Sequence, residues 1–274
     1  MRGGAQSHLI EATDGEFYVL KPTNNPQGRR TLINEWLSCS LLRHLGIFVP
    51  AIKLIEVTPE FVASQTDFYI SLGSRREAIP PGIHFGSQLA VNPTQTAIFD
   101  FLPNKLLAKL ENGQDFLGAL VFDKWVANAD TRQAVFFRTR RKKELDQNRT
   151  PPGRINMWAQ MIDYGFAFNG PQWCYQDSAL QGLYFRTSVY DNVVSIHSFE
   201  PWLERVKNFP FEVIDAARKE IPEEWVQGDR DELERLLECL FRRRACVPDL
   251  ISDIHRNRPI AFANWPGLLP ITST

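Results

Sequence analysis

The chain has 274 residues, which is enough for one large domain or for two lobes around a sizeable buried core. Hydrophobic residues make up 43% and charged residues 23%, a balance that excludes disorder along the whole chain. The formal net charge is −1, so no global basic field favours binding to nucleic acid or to an anionic membrane.

The first third of the sequence predicts a small lobe rich in β-strands. Residues 9–12 and 17–20 are apolar segments on either side of Asp14-Gly15, a dipeptide typical of β-hairpin turns. A helix is predicted for residues 31–44, because apolar side chains recur there at helical spacing. Further strands are predicted at residues 51–57, 61–64, 68–72 and 83–89.

The sequence changes character after Pro93 and becomes mainly helical. Helices are predicted at residues 94–101, 103–106 and 115–127. A second β-hairpin is predicted from residues 134–139 and 156–162. From residue 199 onward the pattern is helical again, and residues 229–232 resemble a capping box that begins one of these helices.

We predict a lobe boundary at residues 90–95. Residues 1–92 would form an N-lobe with a Gly-rich loop, a β-sheet and one helix, and residues 93–274 a mainly α-helical C-lobe.

The cysteine pattern and the absence of long apolar runs indicate the compartment. The four cysteines contain no CxxC pair, so we expect reduced, mostly buried thiols and no zinc site. The first residues lack the apolar stretch of a signal peptide, and no apolar run approaches the roughly 20 residues that span a bilayer. We therefore expect a cytoplasmic protein that does not bind membranes.

A run of small residues precedes the first predicted strand. It reads Gly3-Gly4-Ala5-Gln6-Ser7, and such small side chains let backbone N–H groups approach phosphate oxygens. A flexible start to the chain would have the same composition, so both interpretations stay open at this point.

Lys21 and Glu35 are the next candidate functional residues. Lys21 ends the second predicted strand, from which a lysine could reach phosphates as a point charge. Glu35 lies among apolar neighbours in the following helix and could hold that lysine, as a helical glutamate does in protein kinases. A solvated lysine and an exposed glutamate are the alternatives.

Two aspartates occupy turns next to predicted strands. Asp130, within Asn-Ala-Asp, could accept the proton of an acceptor hydroxyl group. Asp163 follows an apolar strand and precedes Gly165, a position that holds magnesium between the phosphates in kinases. Asparagine and aspartate also favour turns for local reasons. The order of a loop aspartate, a β-hairpin and then Asp-x-Gly favours the functional interpretation.

Four short motifs together resemble those of the HipA-like kinases. They read Gly-Gly-Ala-Gln, Tyr-Val-Leu-Lys, Asn-Ala-Asp and Ile-Asp-Tyr-Gly, and the resemblance extends over nearly the whole chain. The stretches at residues 24–27, 83–87 and 133–137 resemble a standalone bacterial branch of the family. The resemblance implies an α+β, two-lobed protein-kinase-like fold with a small β-rich N-lobe. It also implies an ATP- and Mg²⁺-dependent phosphotransferase that moves the γ-phosphate to a hydroxyl group on a protein or, alternatively, on a small molecule.

The resemblance also implies roles for individual positions. Lys21, held by Glu35, would contact the nucleotide phosphates, Asp130 would be the catalytic base, and Asp163 would be a metal ligand. The remaining nucleotide contacts would come from the phosphate loop and an adenine-binding hinge, comprising Gly3, Gly4, Ala5, Gln6, Ser7, Ser87, Gln88 and Leu89.

Three features depart from the family pattern. The asparagine expected five residues after the aspartate is Val135, so Gln133 would replace it as a metal ligand through its amide oxygen. The histidine expected two residues after the aspartate is Arg132, whose charge could stabilise the transferring phosphate and thus serve catalysis. No strand precedes the Gly-rich loop, which indicates a truncated chain or a loosely tethered loop.

These departures keep two alternatives to an active kinase open. The first is a nucleotide-binding pseudokinase that acts as an interaction module. The second is a partner protein of the toxin–antitoxin type. Only the basic run at residues 138–143 favours nucleic-acid contact, and we expect no direct binding.

Overall fold

The computed structural model describes residues 4–140 and 155–267. Gly3 of the predicted phosphate loop and residues 141–143 of the basic run lie outside the described residues.

Strands and helices are interspersed in the first part of the described chain, and helices predominate in the last part. The strands are β1 His8–Glu11, β2 Phe17–Lys21, β3 Ile52–Val57, β4 Tyr69–Leu72, β5 Arg75–Ala78, β6 Gly82–Gln88, β7 Ile98–Phe99, β8 Gln133–Arg140 and β9 Ile155–Ile162. The helices are α1 Arg30–His44, α2 Pro59–Ser64, α3 Asn104–Leu107, α4 Asp115–Trp125, α5 Trp202–Lys207, α6 Phe211–Lys219, α7 Glu223–Val226, α8 Arg230–Arg243 and α9 Val247–Asn257. This arrangement confirms the predicted α+β class.

A four-stranded antiparallel sheet carries the N-terminal part of the fold. Its strand order is β1-β2-β6-β3, so β2 lies in the interior of the sheet with a partner on each side. The predicted hairpin between β1 and β2 is confirmed, and Gly15 adopts a φ of +77° in its turn. Asp14 fixes that turn, because its carboxylate accepts hydrogen bonds from the Glu16 N–H and the Tyr18 hydroxyl group.

The hydrophobic core extends from α1 into the later helices without interruption. Buried side chains of α1, including Leu32 and Leu37, belong to the same cluster as Trp125 of α4 and Leu240 of α8. The predicted lobe boundary at residues 90–95 falls in an irregular segment between β6 and β7 and stays a prediction.

Two predicted elements are wrong. Residues 61–64 belong to α2 rather than to a strand, because the Thr58 hydroxyl group caps that helix by accepting from the Phe61 N–H. Residues 94–101 contain the short strand β7 rather than a helix, and β7 pairs with β8. Here pairing across strands outweighs local helical spacing.

The hairpin of β8 and β9 is confirmed and spans eight residues on each strand. Helix α8 is also confirmed, but its capping box is wrong. Asp229 makes no side-chain cap, since its carboxylate instead accepts hydrogen bonds from the Arg30 guanidinium. That contact ties the start of α1 to the start of α8.

The cysteines differ from the expectation. Cys39 is buried, but Cys174 is partly exposed, and Cys239 and Cys246 are exposed.

Candidate active site

Three charged side chains that are distant in sequence meet between the sheet and α1. The Lys21 ammonium forms an ion pair with Glu35 and donates a hydrogen bond of 3.0 Å to Asp163 Oδ1. Lys21 is brought there by the end of β2, Glu35 by α1, and Asp163 by the turn after β9. The structure therefore brings together the predicted lysine, glutamate and second aspartate.

The Lys21 ammonium and the Asp163 carboxylate each favour the charged form of the other, whereas burial and the nearby Asp163 carboxylate raise the pKa of Glu35. Burial by itself would lower the pKa of Lys21, but the carboxylates of Glu35 and Asp163 outweigh burial and raise that pKa above its ordinary value. Burial tends to raise the pKa of Asp163, yet the neighbouring Lys21 ammonium holds it below its ordinary value. Both groups therefore carry charge at neutral pH.

The backbone after β9 is shaped to present Asp163. Asp163 has a φ of +62°, a conformation that non-glycine residues rarely adopt and that costs about 1–2 kcal/mol. The next N–H, of Tyr164, donates a 3.0 Å hydrogen bond to Glu35 Oε1 and so fixes the turn to α1. The Asp163 side chain remains 39% exposed and is thus open to a ligand.

Asn34, next to Glu35 on α1, binds the segment that follows Asp163. Its amide nitrogen lies 2.8 Å from the Gly165 carbonyl, 3.0 Å from Ala167 and 3.1 Å from Gly170. Its amide oxygen accepts a 2.8 Å hydrogen bond from the Trp173 indole. The position of α1 therefore determines both the lysine–glutamate pair and the course of this segment.

Asp130 lies in the loop between α4 and β8, as predicted. Its Oδ1 accepts a 2.7 Å hydrogen bond from the Thr131 N–H, and its Oδ2 accepts one of 3.2 Å from Gln133 Nε2. The two bonds orient the carboxylate and leave lone pairs for a further proton donor. The preceding residue, Ala129, donates its N–H to the Phe166 carbonyl at 2.9 Å, which joins this loop to the turn of Asp163.

Arg132 differs from the prediction that it contacts a transferring phosphate. Its side chain is completely buried and forms an ion pair with Asp123, with Nη1 3.0 Å from Oδ1. Its Nη2 donates to the carbonyl oxygens of Ile162 and Asp163, the latter at 2.7 Å, and its Nε donates to the Gln133 carbonyl. All three guanidinium nitrogens are therefore engaged inside the protein. Direct phosphate contact is incompatible with this arrangement.

Arg132 instead joins the two aspartate-bearing segments. It lies two residues after Asp130 and binds the backbone carbonyl of Asp163, and its guanidinium packs 4.0 Å from the Tyr164 ring centroid. A fork of five N–H donors suits this purpose, since one side chain can satisfy several acceptors at once.

Asp123 and Asn128 support the site from within the protein. Neither residue was assigned a role from the sequence, although Asn128 begins the Asn-Ala-Asp motif. Both are fully buried, and the Asn128 amide donates a 2.9 Å hydrogen bond to Asp123 Oδ1. Burial raises the pKa of Asp123 to about 6 despite its contact with Arg132. The available signal was an aspartate within the apolar run of α4, nine residues before an arginine.

The part of the predicted phosphate loop from Gly4 to Ser7 precedes β1 directly. Gly4 lies close to Gln27, since a Cβ atom at Gly4 would stand 2.5 Å from the Gln27 amide nitrogen. The Gln6 side chain binds the backbone of Ser71 in β4. The described loop is thus attached through a side chain, which contradicts the expectation of a loose tether.

The predicted adenine hinge lies at the end of β6. The N–H of Gln88 donates to the Ala51 carbonyl and that of Leu89 to the Phe17 carbonyl, each at 2.8 Å. The Ser87 hydroxyl group lies 3.4 Å from the Val19 carbonyl. A base bound here would therefore use carbonyl oxygens or side chains of these residues, and the hinge assignment stays a prediction.

The residues around Asp163 fit a magnesium ion. In the described part of the chain, no group of three or more His, Cys, Asp or Glu side chains could hold a metal by itself. One carboxylate is nevertheless sufficient when phosphate and water oxygens complete the coordination, which is the usual arrangement for Mg²⁺. Gln133 uses its amide nitrogen on Asp130, and its role as a second metal ligand stays a prediction.

Comparisons with known proteins give one family match and a distant structural similarity. A sequence profile that describes the HipA-like kinases matches residues 1–243. No curated protein sequence matches the chain. Two solved structures of the Golgi casein kinase, one with Mn and ADP bound, are similar at 12% identity, cover 95% of this chain and 73% of theirs, and give TM-scores of 0.47 and 0.46.

None of the helices among residues 4–140 and 155–267 combines the length and apolar character needed to cross a membrane.

Proposed function

The chain belongs to the HipA-like kinase family, and from this premise we propose that it transfers the γ-phosphate of ATP to a hydroxyl group on a protein, with Mg²⁺ as the cofactor. Phosphotransfer by a kinase-like enzyme follows from membership of this family.

The observation that carries the proposal is the contact of Lys21 with both Glu35 and Asp163. A lysine from a strand, a glutamate from a helix and an aspartate from an Asp-x-Gly turn are the groups that kinases use to bind nucleotide phosphates and metal. Here the lysine ammonium lies 3.0 Å from the aspartate oxygen. Packing of the hydrophobic core does not require these three charged side chains to meet.

Phosphoryl transfer requires positioning and charge neutralisation more than covalent chemistry. Lys21 would neutralise phosphate oxygens, and Glu35 would keep its ammonium in place. Asp130 would accept the proton of the acceptor hydroxyl group as that oxygen attacks the γ-phosphorus and ADP departs. Arg132 would hold the Asp130 loop against the Asp163 turn. When bound, Mg²⁺ would neutralise negative charge on the phosphates.

The proposal is tested with Asp163→Ala. This variant should lose Mg²⁺-dependent ATP turnover by at least about a hundredfold, as expected when a metal-phosphate contact is removed. Its circular dichroism spectrum should be unchanged, because Asp163 is partly exposed. Asp249→Ala, which removes an exposed carboxylate on α9, is the matched control. Turnover at the wild-type level in Asp163→Ala would refute the assignment.

A pseudokinase is the alternative outcome, and Val135 motivates it. This apolar residue lies in β8, opposite Gln160, at the position where the family has a metal-binding asparagine. Calorimetry with ATP and Mg²⁺, run beside transfer assays on protein and small-molecule acceptors, separates the two functions. Binding without transfer to any acceptor class would favour the pseudokinase.

A further inference from the structure

The Gln6 side chain binds one residue of β4 through both of its polar groups. Its Nε2 donates to the Ser71 carbonyl at 2.6 Å, and its Oε1 accepts from the Ser71 N–H at 2.6 Å. A primary amide that satisfies one backbone N–H and one C=O reproduces the pairing that a neighbouring strand would provide. Gln6 itself adopts a φ of +47°, an unusual backbone conformation for this residue type.

The register of the β4–β5 hairpin explains why Ser71 is available. Leu72 pairs with Arg75 at the closed end, and Ser71 pairs with Arg76. In an antiparallel pair alternate residues direct their N–H and C=O groups away from the partner strand. Tyr69, two residues earlier, follows the same pattern, and its carbonyl lies 3.1 Å from the His8 ring nitrogen.

The hairpin is also attached to the loop that follows β2. Asn24 Nδ2 lies 3.1 Å from Glu77 Oε1 and 3.2 Å from the Ala78 carbonyl. The β4–β5 pair forms a two-stranded sheet separate from the four-stranded sheet. Side-chain hydrogen bonds from Gln6, His8 and Asn24 thus connect this separate sheet to the segments around β1 and β2.

We infer that Gln6 is a positioning residue, which fixes the Gly4–Ser7 loop to the β4–β5 hairpin in the conformation that receives the nucleotide phosphates. The inference rests on the proposed function, because it assumes that this loop binds phosphates. The Gln6 side chain then serves as a tether and not as a nucleotide contact, since both ends of its amide are already engaged.

The test removes the contact with Gln6 by changing its partner in the hairpin, Ser71. Ser71→Pro deletes the N–H that Gln6 accepts from and leaves the β4–β5 ladder intact, because that N–H does not face β5. Ser71→Ala is the matched control, since the serine backbone makes both bonds. We expect Ser71→Pro and Gln6→Ala each to raise the KM for ATP about tenfold with kcat within about twofold, and Ser71→Ala to change neither.

A double variant and a second readout make the result decisive. Gln6→Ala combined with Ser71→Pro should raise KM no more than either change alone, because both remove the same contact. Hydrogen exchange of the Ser71 backbone amide should accelerate in Gln6→Ala, because its N–H loses the Gln6 Oε1 acceptor, and this readout does not require enzymatic activity. Unchanged exchange, or additive effects on KM, would overturn the inference. Faster exchange in a protein without turnover would support the tether and refute the proposed function.

Discussion

At the scale of single residues, Lys21 can be tested so that stability and function separate. Lys21→Met leaves the buried Glu35 carboxylate without its cation, which should lower the free energy of unfolding by about 3 kcal/mol. The same change removes the phosphate contact and should lower kcat/KM at least about a hundredfold. Adding Glu35→Gln removes the buried charge, so the double variant should regain stability without regaining activity. Denaturant unfolding and steady-state kinetics measure the two effects, and parallel recovery of both would contradict the assigned role.

The lowered pKa of Lys124 should make the stability of the protein depend on pH. Burial lowers the pKa of its ammonium group from 10.5 to about 8, although it donates a hydrogen bond to the Ser178 carbonyl. Between these two pH values the unfolded chain binds more protons at this position, so the free energy of unfolding should rise with pH. The difference of about 2.5 pH units corresponds to roughly 3 kcal/mol at most.

Lys124→Met should abolish this rise and stabilise the protein at pH 7. The exposed Ser178 would exchange its lysine hydrogen bond for one from water. Denaturant unfolding of both proteins from pH 7 to pH 10.5 gives the comparison, in which other titrating groups cancel. If the two proteins differed in free energy of unfolding by the same amount at every pH in that range, the lowered pKa of Lys124 would be contradicted.

The candidate site was predictable where chemistry depends on the order of motifs. Lys21, Glu35 and Asp163 were identified because each follows or lies in a recognisable element, and the structure brings them into contact. Arg132 was misjudged because its burial depends on Asp123, a partner hidden within an apolar helix. A sequence indicates which residues carry charge, whereas the packing around them determines which charges reach a ligand.

At the scale of elements, helix α4 contains a glycine that the packing requires. A Cβ atom at Gly118 would lie 2.5 Å from the Trp202 indole nitrogen of α5. Gly118→Ala should therefore lower the free energy of unfolding by about 1–2 kcal/mol, because overpacking costs more than the roughly 1 kcal/mol gained in helix propensity. Gly113→Ala is the control, since its nearest neighbours would be 3.8 Å away. Equal stability of both variants in thermal unfolding would contradict this packing argument.

Elements were predicted well where local and global preferences agree. Helix α1 and both hairpins appear as expected, since their periodicity and turn residues coincide with their tertiary contacts. The segment at residues 61–64 has a strand-like composition, but Thr58 and Pro59 begin a helix immediately before it. Strand β5 was missed because its charged sequence is stabilised by pairing with β4 rather than by a buried face.

At the scale of the whole molecule, α1 connects regions that the sequence analysis treated as separate. Arg29 donates to the backbone carbonyls of Glu224 and Gln227, and Arg30 binds Asp229. Trp36 contacts Trp225 edge to face, with ring centroids 6.4 Å apart. Such contacts have sequence separations near 200 residues, and no local pattern predicts which distant partner a helix will choose.

The four hydrogen-bonding contacts of Asn34 make the position of the segment after Asp163 depend on the position of α1. The same helical turn carries Glu35, so any rotation or withdrawal of α1 would release Lys21 and would also free the backbone from Gly165 to Trp173. Partial displacement would leave several buried polar groups without partners, at a cost of about 1–3 kcal/mol each. Intermediate positions of the helix are therefore disfavoured. The ion pair of Lys21 with Glu35 and the contacts of Asn34 should form together or be lost together.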